Sequence, residues 1–138
     1  MTTRTTPTAR ETMDAATGTR LRFTVTAKPV PKARPRVVDG HAYTPARTKA
    51  FEQAVGWGAK EAMMRVGWVM LTGPVLVDLV VTGASVRADV DNLGKAVLDG
   101  MQGVVFADDK QVAGLVIWRQ DRGLPGVQVE VVALEGKA

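Results

Sequence analysis

A chain of 138 residues can bury one hydrophobic core without disulfides or a structural metal, so a single domain is expected. With no cysteine and one histidine, His41, it excludes a disulfide scaffold, a thiol nucleophile, cysteine zinc sites and a multi-histidine metal centre. The net charge of +4 hides a segregation, because residues 1–65 hold 12 Lys/Arg against 5 Asp/Glu and residues 66–138 hold 6 against 9. A basic half beside an acidic half fits either a polyanion-binding surface next to a carboxylate site or charge that merely solubilises the first half. No apolar run reaches the length of a membrane span and no apolar signal region opens the chain, which predicts a soluble, cytoplasmic protein with no membrane partner.

In chain order, residues 1–19 contain eight threonines with scattered Arg, Pro and Gly and no apolar period. They read as a disordered arm ahead of a folded domain over 20–138. Leu21, Phe23 and Val25 alternate with polar residues and predict a strand. Lys28 to Arg36, KPVPKARPR, sets Lys28, Lys32, Arg34 and Arg36 among prolines, a stiff extended segment suited to tracking phosphates or simply a charged surface loop. Asp39-Gly40 between Val37-Val38 and Ala42-Tyr43 is a hairpin signal, with His41 an exposed strand residue. Thr44 as cap and Pro45 as first helical residue open a helix to about Val66, with a buried stripe of Phe51, Val55, Gly58, Ala62 and Val66. Trp57 lies near that stripe and is read as packing rather than a base-stacking platform, since no second aromatic accompanies it.

After Gly73-Pro74, Val75–Val81 reads as a central strand, with Asp78 taken as edge-exposed rather than part of an acidic site. It delivers the chain to Arg87 and Asp89. Asp89 and Asp91, two apart, share one side of an extended segment. Asp91 is also a candidate cap for a helix with the apolar stripe Leu93, Val97, Met101, terminated by Gly103. Asp91, Lys95 and Asp99 repeat at one-turn spacing on another face, which puts the lysine among the carboxylates. Gly94 and Gly100 weaken that helix, either for a close approach by DNA or a partner or by simple tolerance. Asp108 and Asp109 are adjacent like charges that call for a cation. Val112–Trp118 and Val127–Leu134 are further strands, with Trp118 in the core or an interface. The order of elements predicts an α+β two-layer sandwich, a mixed β-sheet with two main helices on one face.

Five of the chain's fourteen acidic residues fall between Arg87 and Gln111. Hard divalent cations such as Mg²⁺ choose carboxylate oxygens and keep waters that substrate phosphates replace, so the cluster suits such an ion. Solvated caps and turns are the alternative for each residue taken singly.

The string DVDNLGKAVLDGMQGVVFADDKQV resembles the signature of the RusA family of Holliday junction resolvases, with its D-x-D-N-x-x-K-x-x-x-D and D-D-x-Q-V elements. The resemblance implies that Asp89, Asp91 and Asp109 are catalytic metal ligands for Mg²⁺ and that Lys95 is the essential lysine. Asn92, Asp99, Asp108 and Gln111 match motif positions without a definite role. It further implies the two-layer fold, a homodimer, and a four-way-junction DNA substrate cut by paired symmetric nicks in a bacterial, phage or prophage setting. Lys28, Lys32, Arg34, Arg36 and Arg87 would meet the DNA. The competing expectations are a nuclease for other branched DNA, such as flaps and forks, and a non-catalytic DNA-binding module with a structural cation.

Overall fold

Strand β1 (Arg20–Val25) buries Leu21, Phe23 and Val25 and turns Arg22 and Thr24 outward. In the computed structural model, which describes residues 20–33 and 36–134, it pairs antiparallel with the last strand, β6 (Gly126–Ala133). The central strand β4 (Val75–Thr82) lies antiparallel to β6 on one side and parallel to β5 (Val112–Gln120) on the other. The four-stranded sheet therefore runs β1-β6-β4-β5. The hairpin β2 (Arg36–Val38) and β3 (His41–Tyr43) forms separately, and Asp39 and Gly40 at its turn both take the positive φ that a two-residue turn of this hand requires.

Helix α1 (Ala46–Val66) and helix α2 (Val90–Met101) cover one face of the sheet, as the sequence predicted. The core joins Phe51, Val55 and Ala59 of α1 and Leu93, Val97 and Met101 of α2 to Val77, Leu79, Val129 and Val131 of the sheet. Among the described residues, no helix is long and apolar enough to cross a membrane. The expected arm over residues 1–19 lies outside the described residues.

Several local expectations are corrected. Pro45, not Thr44, caps α1, so the proline sits one position outside the helix. The buried stripe of α1 runs Thr48, Phe51, Val55, Ala59, Ala62, while Gly58 is half-buried and Val66 is 61% exposed. Gly67 turns the chain left-handed after Val66 and brings Trp68 under the core, with its indole N–H donating to Val105 O, so Trp68 supplies the cover expected of Val66. Trp57 is not packed but 68% exposed, because it falls on the side of α1 away from Val55 and Ala59. Asp78 is buried, since β4 has a neighbour on both sides and no edge. Of the two places expected for Trp118, core or interface, the core is excluded, since it is 64% exposed on the uncovered face of the sheet.

Gly94 and Gly100 acquire a reason inside the fold. A Cβ on Gly100 would stand 2.8 Å from the Glu52 carbonyl oxygen and from Val55 Cβ, so the glycine lets α2 cross α1 closely. A Cβ on Gly94 would run into Ile117 Cδ1 of β5. The close approaches are to the chain's own elements.

Candidate active site

The site is built on α2 and on the short segment that follows it. Asp89 caps α2 in extended conformation, makes no side-chain cap bond, and lends its carbonyl to Leu93 N as the first helical acceptor. The cap is thus Asp89 rather than Asp91, which lies in the first helical turn. The two are consequently not alternate residues of one strand. Both are exposed, as is Asn92, at the N-terminal end of the helix, where its dipole favours negative charge.

The face predicted from Asp91, Lys95 and Asp99 exists, and its lower half is tied together. Lys95 Nζ lies 2.9 Å from Asp99 Oδ1 and 2.9 Å from Asp109 Oδ2. The pair at Asp99 raises the Lys95 pKa, with Asp109 adding to it, and Lys95 in turn holds the Asp109 carboxyl below its usual range. Lys95 is the cation that the Asp108-Asp109 pair called for.

Asp109 is presented by a built turn. After α2, Gly103 takes a left-handed φ of 79° and the chain folds back so that Val105 and Phe106 are fully buried, Phe106 bridging to Leu71. Asp108 then caps a 3₁₀ turn, Asp109–Gln111, accepting from Lys110 N at 2.9 Å, while Gln111 Oε1 accepts from Asp108 N at 2.9 Å. Gln111 Nε2 donates to the carbonyls of Leu71 and Gly73, and Gln102 Oε1 accepts from Asp109 N at 3.2 Å. Asp108 and Gln111, matched by the motif without a definite role, thus form a capping box that aims Asp109 at α2.

A second ammonium extends the network. Lys32 Nζ sits 2.7 Å from Glu52 Oε1 of α1 and 3.0 Å from Asp99 Oδ2, and its backbone N–H donates to Asn92 O at 2.9 Å. Burial opposes its charge, yet the Glu52 and Asp99 carboxylates outweigh that and raise its pKa. Glu52, Lys32, Asp99, Lys95 and Asp109 therefore alternate in sign across four segments of the chain. Lys32 faces these carboxylates instead of solvent.

Of the other basic residues, Lys28 and Arg87 are exposed, and Arg87 lines a depression with Arg47. Arg34 lies outside the described residues, as does the side chain of Arg36. Sequence reasoning missed Glu52 and Arg119. Arg119 of β5 donates to the carbonyls of Ala88 and, at 2.8 Å, Ser85, pinning the turn that presents Asp89. Neither carries a local signal, since the partner of Glu52, Lys32, lies 20 residues away in the chain and those of Arg119 lie 31 and 34 away.

Carboxylate oxygens suit a hard divalent ion in kind, and Asp89, Asp91 and Asp109 offer them. Among the described residues, however, no three acidic or imidazole side chains are gathered closely enough to hold one. At Asp109 the place of a cation is taken by Lys95. What the arrangement offers as it stands is an ammonium, 47% exposed, held between two carboxylates beside the N-terminal end of a helix that carries two more. Such an ammonium can neutralise a phosphate, and its partner Asp109 can exchange the ammonium for a metal ion.

Compared with known proteins, the chain matches the sequence model of the family described as Endodeoxyribonuclease RusA over residues 26–132, more than half of its length. It is 28% identical over 137 aligned residues to "Uncharacterized protein YqaN" of Bacillus subtilis (strain 168), covering 80% of this chain and 94% of that protein. The family span includes Lys32, Glu52, Arg119 and every acidic residue from Asp89 to Asp109.

Proposed function

The chain belongs to the RusA endodeoxyribonuclease family, and from that premise we propose that it resolves four-way DNA junctions by paired symmetric nicking, as a Mg²⁺-dependent homodimer in the cytoplasm. Family membership makes it an endonuclease acting on DNA, and divalent-metal dependence is general in the family. The observation that carries the finer reading is Lys95, bridged at 2.9 Å to both Asp99 and Asp109 on the face where Asp91 also falls.

In this reading Asp89, Asp91 and Asp109 hold the metal. When bound it supplies Lewis-acid polarisation of the scissile phosphate and activation of water. Asp109 would give up its bond to Lys95 in holding it, and the ammonium, kept in place by Asp99, would then neutralise a phosphate oxygen. The gain is charge neutralisation where charge builds in the transition state. Arg119 and the Asp108–Gln111 box position the two ends of the carboxylate set, and Lys28 and Arg87 meet the backbone of the DNA. A four-way junction has near-twofold symmetry and needs two incisions, which a twofold dimer with one site per subunit matches.

The test is cleavage of an end-labelled synthetic four-way junction, against duplex, flap and forked DNA, with Mg²⁺ or EDTA. Wild type is expected to nick the junction at symmetric positions and leave 5′-phosphate and 3′-hydroxyl ends. Asp91→Asn is expected to abolish nicking and keep junction binding within about threefold, because loss of one ligand leaves the basic surface intact. Preferential cutting of flaps or forks would replace the substrate, and tight binding with no nicking of any DNA by folded wild type would remove the catalytic reading.

A further inference from the structure

Exposed Trp57 is the part of the molecule that neither the core nor the carboxylate network uses. Tryptophan is highly buried on average, and leaving its ring in water forfeits one of the larger burial gains available to a side chain. Here the residue is 68% exposed, and Lys60 Nζ lies 5.1 Å from the ring centroid. Trp57 is not isolated on α1. With Lys49, Gln53 and Lys60 it forms one wall of a groove of about 520 Å³ whose other wall is Asp99 and Gly100 of α2. The groove thus lies between α1 and α2 and includes Asp99, the carboxylate that holds Lys95.

Its charge suits one kind of occupant. The acidic groups that line it, Glu52 and Asp99, are already neutralised by Lys32 and Lys95. Among the described residues neither Lys49 nor Lys60 makes an ion pair, and the Lys60 ammonium lies over the Trp57 ring, so both charges remain for an anion. An aromatic surface flanked by free cations is the combination that binds a nucleic-acid strand, the ring taking a base and the ammonium groups its phosphates. The close crossing at Gly100 and Gly56, where an added Cβ would touch backbone of the facing helix, fixes the two walls relative to each other.

We propose that the groove between α1 and α2 seats a DNA strand at the branch point, with an unstacked base on Trp57 and its neighbouring phosphates on Lys49 and Lys60. The inference rests on the junction-nuclease reading and adds a source of selectivity to it. Bases in continuous duplex have no free face to offer, whereas a base at a branch has lost a stacking neighbour and pays less to leave the stack. Lysines alone would hold any DNA; the indole discriminates the branched form.

The experiment compares binding of a fluorescent four-way junction and a continuous duplex of the same sequence, in EDTA so that no cleavage intervenes, for wild type, Trp57→Ala, Trp57→Phe and Lys60→Gln. Melting temperature and sedimentation mass are recorded for each protein. Trp57→Ala should weaken junction binding by about 5- to 100-fold and duplex binding less than twofold, and Trp57→Phe should recover most of the loss. Lys60→Gln should weaken both substrates and lower the salt slope by about one. The proposal is overturned if folded Trp57→Ala binds the junction as wild type does, if it loses junction and duplex equally, or if its sedimentation mass falls, which would make Trp57 a contact between copies of the chain. If wild type shows no preference for the junction, the substrate reading itself falls; if the preference is present and Trp57→Ala retains it, only the groove assignment does.

Discussion

Lys95 and Lys32 illustrate what distance in sequence conceals. Lys95 was legible, because its one-turn spacing from Asp91 and Asp99 is a property of the helix itself, and the bond to Asp99 follows from it. Its second partner, Asp109, was expected to need a cation and, through the family resemblance, to be a metal ligand, but nothing in the sequence paired it with Lys95. Lys95→Ala is therefore expected to cost below about 1 kcal/mol of stability, since the pairs are partly exposed, while cleavage falls by about 10²–10³. Thermal melts beside single-turnover cleavage check this, and a large stability loss with little rate loss would make the network structural. Lys32 was read among the phosphate-tracking residues, and the structure instead turns it onto Glu52 and Asp99. Because its folded pKa is raised above the usual 10.5, its stabilisation is fully present below 10.5 and is lost as pH rises through the folded value. The melting-temperature gap between wild type and Lys32→Gln, worth about 1–2 kcal/mol, should stay constant from about pH 6 to 9 and close in strongly alkaline solution.

At the scale of elements, helix α2 was recognised from its apolar period, and its terminating Gly103 was placed correctly, since both are local. Its starting residue was not, because Asp89 and Asp91 are equally good caps in sequence and only the path of the Ser85–Ala88 turn, held by Arg119, selects between them. The two helix glycines divide by what surrounds them. Gly100→Ala presses on the Glu52 carbonyl and Val55 Cβ, which are fixed parts of α1, and should cost about 1–3 kcal/mol in urea unfolding. Gly94→Ala clashes with the terminal methyl of Ile117 alone, which can rotate away, and the helix gains about 1 kcal/mol in propensity, so its midpoint should stay close to wild type. The 3₁₀ turn at Asp109–Gln111 went unread, because its capping box appears only once Gln111 is seen to fold back on Asp108.

For the whole molecule, the helix layer carries the carboxylates, the lysine network and the Trp57 groove on the side away from the sheet. The acidic residues of that network have ammonium partners within the chain itself. EDTA is accordingly expected to abolish cleavage yet lower the melting temperature by no more than about 2 °C, whereas a structural cation would tie the two losses together. Differential scanning fluorimetry beside the cleavage assay separates these outcomes. By itself the sequence determined the element types, the α+β layering and the acidic segment that the family motif occupies, because strand alternation, helix period and turn chemistry act over a few residues. Tertiary structure alone decided that Asp78 is buried and Trp57 exposed, that Gly100 serves a helix crossing, and that Glu52, Lys32, Asp99, Lys95 and Asp109 form one alternating chain of charge. Which side of an element faces the core, and which distant side chain fills the space beside it, depends on how separate segments pack, and no local pattern encodes that.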